Sequence, residues 1–177
     1  YNDGVAAQVA SRPLSGVGGT DFALRSIVTG GGHSCAVFSD SSVKCWGTNS
    51  SGQLGLGDAN PRGDGANEMG GALAHVSLGV GRQAKALAAG GSHTCAILEN
   101  GAVKCWGYNV YGQLGLGDGN NRGDGAGEMG DTLVTVPLGT GRTATGIAAG
   151  SNHTCALLDY ETVKCWGYND FGQLGLG

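Results

Sequence analysis

Apolar positions along this chain alternate over short runs and never settle into a helical period. Ala86 to Ala89 is a run of small apolar residues closed by Gly90 and Gly91. His93 to Leu98 alternates loosely and carries β-branched residues, and Val103 to Gly107 follows the polar stretch Glu99-Asn100-Gly101. Gln113 to Gly117 leads into a long Gly/Asp loop, and Leu133 to Leu138 is a last apolar run. Short runs bounded by glycine and polar clusters read as strands.

The pattern recurs at a fixed interval. HSCAVFSDSSVKCWGTNSSGQLGLGD starts at His33, HTCAILENGAVKCWGYNVYGQLGLGD at His93 and HTCALLDYETVKCWGYNDFGQLGLG at His153, a period of 60 residues. The linkers repeat too: RGDGANEMG from Arg62 returns as RGDGAGEMG from Arg122, and LGVGRQAKALAAG from Leu78 as LGTGRTATGIAAG from Leu138. Equal spacing means that each unit takes the same path through space. Four short strands per 60 residues, joined by tight turns, is the size of one propeller blade. The expected fold is therefore all-β: β-propeller blades of four antiparallel strands, about three 60-residue repeats of an incomplete or multi-chain propeller. The units are expected over 22–81, 82–141 and 142–177, the last truncated, behind an atypical N-terminal cap or blade remnant over 1–21. The chain opens on Tyr1 and stops inside the motif, which reads as a mature or trimmed segment.

Every cysteine falls in the repeat, at two fixed places per unit. A three-residue turn at Glu99-Asn100-Gly101, with Gly101 left-handed, sets Ile97 opposite Val103, Ala96 opposite Lys104 and Cys95 opposite Cys105. Facing cysteines in a non-hydrogen-bonded pair are close enough for a disulfide. The same count predicts Cys35–Cys45 and Cys155–Cys165, although Ser41 and Glu161 replace the turn glycine there. Reduced buried thiols and a metal site are the competing readings, the latter without any CxxC spacing. Disulfides imply an oxidising compartment, so the chain is expected to be secreted or at the cell surface.

Composition narrows the function classes. Glycine makes up 37 of 177 residues, far above the usual share, which suits tight turns between short strands. The net charge of −4, with no Lys/Arg run, argues against a nucleic-acid partner. No apolar stretch is long enough to span a membrane.

The motif GGSHTCAILENGAVKCWGYNVYGQLGLGD resembles the repeat of the regulator of chromosome condensation family, through Gly-x-x-His, Trp-Gly-x-Asn and Gly-Gln-Leu-Gly at these offsets. The resemblance covers about Phe22 to Gly177 and implies seven-bladed propellers with four-stranded blades. The cysteine-bearing form with the RGDGAxEMGD insert resembles variants in secreted proteins of bacteria and algae. Three blades cannot close such a ring, so the resemblance implies missing chain or association between chains.

Candidate chemistry is sparse. His33, His93 and His153 could line a metal site; the plainer reading is a strand-end hydrogen bond within each blade. Trp46, Trp106 and Trp166 are expected between blades with the indole nitrogen paired. Arg62-Gly63-Asp64 and Arg122-Gly123-Asp124 spell a cell-adhesion tripeptide, or an Arg–Asp pair bracing a turn. Asp58, Asp64 and Glu68, with Asp118, Asp124 and Glu128, are weak calcium candidates; the spacing is not that of an EF-hand. Gly112 to Gly117 lacks the Gly-Lys-Ser/Thr of a phosphate cradle. Asn49 and Asn152 head glycosylation sequons, with Asn49 the better placed.

No catalytic constellation and no cofactor motif recurs. The leading expectation is a non-enzymatic extracellular segment for protein interaction or structural assembly, with a protein partner or a copy of itself. A filament or surface coat and a secreted inhibitor of an enzyme are alternatives. Nucleotide exchange on a small GTPase, suggested by the resemblance alone, ranks last.

Overall fold

The computed structural model describes residues 23–176. The cap expected over 1–21 lies outside the described residues.

Among the described residues nine strands form three antiparallel sheets, with almost no helix. The first sheet contains β1 (Leu24–Thr29), β2 (His33–Phe38) and β3 (Val43–Gly47). The second contains β4 (Ala84–Ala89), β5 (His93–Leu98) and β6 (Val103–Gly107). The third contains β7 (Ala144–Ala149), β8 (His153–Leu158) and β9 (Val163–Gly167). Each is a meander in sequence order, and each bears one bulge in its first strand, between Leu24 and Ser26, Ala84 and Ala86, and Ala144 and Gly146.

The hairpin register follows from the turn. Gly101 takes φ 78°, and Ile97 pairs with Val103, Ala96 with Lys104 and Cys95 with Cys105. Ser41 accepts the same left-handed conformation at φ 64°. The third hairpin turns differently, with Tyr160 and Glu161 both left-handed.

Each sheet has three strands, one fewer than expected. Leu133 to Leu138 forms no strand and is joined to β6 by a single rung, from Val136 N–H to the Val103 carbonyl. Val76 makes the same bond to Val43. One rung is not a ladder, and Pro137 has no N–H to extend it.

Alternate residues of each middle strand point to opposite neighbours. Cys35 and Val37 join Leu87, Ala96, Leu98 and Trp106 in a core between the first and second sheets. Cys95, Ile97 and Val103 join Ala144, Ala156 and Leu158 in a core between the second and third. The cores therefore lie between blades, as period-two alternation requires when both faces are covered.

Candidate functional site

The Trp-Gly-x-Asn and Gly-Gln-Leu-Gly motifs build one loop. Asn49 Oδ1 accepts the Leu54 N–H at 2.9 Å, and Gln53 Oε1 accepts the Ser51 N–H at 2.9 Å. Asn109 and Gln113 do the same in the second unit, Asn169 and Gln173 in the third.

That loop presents the carbonyl of its glutamine to the next blade. The Gln53 carbonyl accepts Thr94 Oγ1–H at 2.9 Å and Trp106 Nε1–H at 3.0 Å, using both lone pairs. The Gln113 carbonyl accepts Thr154 Oγ1–H and Trp166 Nε1–H, each at 2.9 Å.

The histidines complete the clamp. Because the Thr94 hydroxyl proton goes to Gln53, His33 Nε2–H donates to Thr94 Oγ1, 2.8 Å away. His93 donates to Thr154 in the same way. This corrects the expectation of a bond within each blade: the histidine ties its blade to the following one. The Gly-x-x-His spacing has a steric cause, since a Cβ on Gly90 would lie 2.2 Å from His93 Cε1. Nδ1 of His33 and of His93 is buried without a partner, and burial pushes both imidazoles down to about 4. Both are neutral at pH 7, and among the described residues no group of three His, Cys, Asp or Glu side chains could hold a metal.

The acidic loops are occupied by the chain itself. Arg62 binds Asp58 at 2.7 Å, and Arg122 binds Asp118 at 2.7 Å. The partner of Arg62 is thus Asp58, outside the adhesion tripeptide, rather than Asp64. The hydrogen bond from Arg62 holds the Asp58 carboxyl below its usual range, as that from the Asn120 N–H does for Asp118. Glu68 Oε2 accepts the N–H of Gly63 and of Gly65 at 2.8 Å, and Glu128 repeats this with Gly123 and Gly125. Among the described residues, no three of the calcium candidates Asp58, Asp64, Glu68, Asp118, Asp124 and Glu128 form a group that could hold a metal ion.

The sequon at Asn49 fares differently from expectation. Asn49 is 1% exposed, and its Nδ2, the atom a glycan would occupy, donates to the Asp58 carbonyl at 2.7 Å. The side chain is spent on bracing the loop. Asn152 is half-buried, and the hydroxyl of its sequon residue Thr154 is buried in the clamp.

The cysteine pairs face one another with Cα atoms 4.0 to 4.1 Å apart and sulfurs at disulfide distance. Cys35, Cys45, Cys95 and Cys105 are fully buried beneath a following blade, whereas Cys155 and Cys165 are half-exposed.

One surface feature escaped the sequence reading. Tyr108, Tyr111, Tyr168 and Phe171 form a ladder of edge-to-face rings, with successive centroids 6.1, 4.9 and 6.1 Å apart. Tyr111 is 45% exposed and Phe171 86%. The first unit has Thr48 and Ser51 at these places, so the ladder runs over the second and third blades alone. The hydrogen bond from Tyr168 to Asp170 raises the phenol above its ordinary pKa. Beside the ladder opens a cleft of about 430 Å³, walled by Val110, Tyr111 and Trp166 over a glycine floor. The signal was the substitution pattern at positions three apart in the repeat, but spacing alone does not show that rings of successive units meet.

Known proteins place this architecture. A family model described as the Regulator of chromosome condensation (RCC1) repeat matches residues 24–53, 84–113 and 144–173, and a second model of that description matches 100–157. The chain is 33% identical to the ultraviolet-B receptor UVR8 of Arabidopsis thaliana over 87% of its own length and 31% of the relative's. It superposes on Prp20p of Saccharomyces cerevisiae, a structure described with binding to Gsp1p and histones, at a TM-score of 0.61 and 27% identity, covering 87% of this chain and 34% of that one. It also superposes on the ectodomain of the Physcomitrella patens receptor kinase CR4 at a TM-score of 0.50 and 27% identity, covering 82% and 29%. The chain thus spans about a third of these relatives' length. No helix among the described residues is long and apolar enough to cross a membrane.

Proposed function

Because the chain belongs to the regulator of chromosome condensation repeat family, we propose that it acts by binding protein, as a non-enzymatic segment of an extracellular propeller. The aromatic ladder carries this reading. Exposed tyrosine and phenylalanine on a rigid scaffold give large contact area at little entropic cost, the makeup of interface anchors. The ladder also has a cost that a purely structural residue would avoid. Gln53 Nε2 donates to Thr48 Oγ1; where Tyr108 replaces that threonine, Gln113 Nε2 is buried without a partner. A local rule broken in this way marks a functional position.

The oxidised setting rests on the facing cysteines, which small extracellular domains use as staples. A receptor-kinase ectodomain among the structural relatives supports the same placement. Structural assembly is the second form of the reading, favoured by the exposed apolar side chains Leu157 and Val163 on the third blade. Neither form calls for a cofactor.

The test captures partners from a secreted and surface proteome by chemical cross-linking, with the native chain and a Tyr111→Ser/Phe171→Ser variant side by side. Partners held by the native chain and lost by the variant are expected. A partner set unchanged by the double substitution overturns the ladder. Intact mass after alkylation in denaturant checks the compartment: no thiol should react, and six reactive thiols would return the protein to a reducing one.

A further inference from the structure

The molecule seats one arginine between a carboxylate and a tyrosine ring. Arg142 Nε–H donates to Asp159 Oδ1 at 2.5 Å, and the guanidinium carbon lies 5.6 Å from the centroid of the Tyr160 ring. A guanidinium suits such a seat because it is planar, permanently charged and weakly hydrated. It can pair with the carboxylate while it stays against the ring.

The aromatic ladder carries the same two groups without a cation from the described residues. Tyr168 donates its hydroxyl to Asp170, and Asp170 is exposed. None of the ion pairs among the described residues includes Asp170. The ladder loops, 108–119 and 168–176, contain Asp118 and Asp170 and neither lysine nor arginine. Asp118 is paired with Arg122, so Asp170 is the uncompensated charge beside the rings. Tyr111 and Tyr168 meet across the junction of the second and third blades, with centroids 4.9 Å apart. This rim stays open beneath a following blade. Val110 holds the place of Asp170 in the second unit, and it is 59% exposed and Tyr111 45%, although the third blade packs on the second. Ser50 holds that place in the first unit, so the carboxylate is confined to the third loop.

We propose that the ladder takes an arginine side chain of its protein partner, whose guanidinium pairs with the Asp170 carboxylate and lies against the rings of Tyr168 and Tyr111. The partner segment is therefore basic, complementary to a chain of net charge −4. Asp170 anchors the charged end, and the apolar stem of the arginine covers ring surface. Lysine fits less well, because its compact, strongly hydrated ammonium offers no plane to the ring. The inference rests on the reading of the ladder as the protein-binding surface.

The probe is the capped peptide acetyl-Gly-Gly-Arg-Gly-Gly-amide, beside its lysine and citrulline counterparts, titrated into the isotope-labelled 177-residue chain and followed by NMR. The arginine peptide is expected to shift the amide signals of Tyr111, Tyr168 and Asp170 saturably, with a Kd of about 5 mM. The lysine peptide should bind about fivefold more weakly, and the uncharged citrulline peptide should leave these signals in place. Asp170→Asn keeps the size of an exposed side chain and should weaken the arginine peptide about tenfold. Glu99→Gln, at the opposite end of the second sheet, should leave its binding unchanged. Equal shifts from arginine and citrulline, shifts unmoved by Asp170→Asn, or no shift at the ladder at about 20 mM peptide would each overturn the proposal. The cross-linking capture described above, run with Asp170→Asn, separates the two readings. Partners lost by this variant and by Tyr111→Ser/Phe171→Ser support both. Partners lost by the double substitution and kept by Asp170→Asn overturn the arginine and leave the ladder standing. Capture that ignores every substitution overturns both.

Discussion

The second and third blades have nearly the same sequence and the same register, yet they are different objects. Cys95, Ile97, Val103, Cys105 and Trp106 are all fully buried. Their counterparts Cys155, Leu157, Val163, Cys165 and Trp166 are half-buried or exposed. The hairpins share their register and differ in the turn, left-handed at Tyr160 and Glu161 in the third; among the described residues the larger difference is a following blade and the loop that lies across it. Burial in this fold is a property of an interface and only secondarily of a residue, so most of the hydrophobic stabilisation sits between units.

The largest expected effect comes from the clamp histidines that lie beneath a following blade. His33 and His93 have their pKa values pushed from 6.5 to about 4, so the unfolded chain binds protons that the folded chain refuses. Their contribution is full above about pH 6.5 and is lost as pH falls towards 4, at about 3 kcal/mol for each histidine. Urea unfolding at pH 7 and pH 4.5 measures it, and a profile with no acid-side loss would contradict the buried neutral rings. The tryptophans should separate next. Trp106→Ala is expected to cost about 3 to 5 kcal/mol and Trp166→Ala about half of that. Equal losses would mean that the third interface is covered in solution.

Disulfide accessibility sharpens the contrast further. Under mild reductant with alkylation and peptide mapping, Cys155–Cys165 should open at least about tenfold faster than the two sealed pairs. Removing a sealed pair, as in Cys95→Ala/Cys105→Ala, should cost about 2 to 3 kcal/mol for so short a loop. The smallest effect is local. Glu161 is exposed and left-handed, so Glu161→Gly should raise stability by about 0.5 to 1 kcal/mol, read as a shift in the urea midpoint.

What could be read from the sequence was whatever a single turn determines. Three residues between Leu98 and Ala102 fix which side chains face one another, so the Cys95–Cys105 register followed from counting. Asn49 looked the better-placed sequon because its partners, the Leu54 N–H and the Asp58 carbonyl, lie across a loop whose path no short pattern gives. The bond from His33 to Thr94 and the meeting of Tyr111 with Tyr168 depend on how one blade is rotated against the next. That rotation is set by side chains such as Ile97 and Leu158 packing between sheets, and period and spacing do not report it. The fourth strand failed for a related reason: Leu133 to Leu138 has strand-like composition, but the sheet edge offers it one rung.

The double acceptance at the Gln53 and Gln113 carbonyls has a mechanical consequence. Each carbonyl joins one blade to its neighbour and to no other, so under tension each clamp should part as a separate event, one pair of blades at a time. A lesion at the second blade would leave two blades that no longer communicate, while a lesion at the third would leave an intact pair. Mechanical order along the described blades is therefore a matter of adjacency, and the second blade is the link between the first and the third.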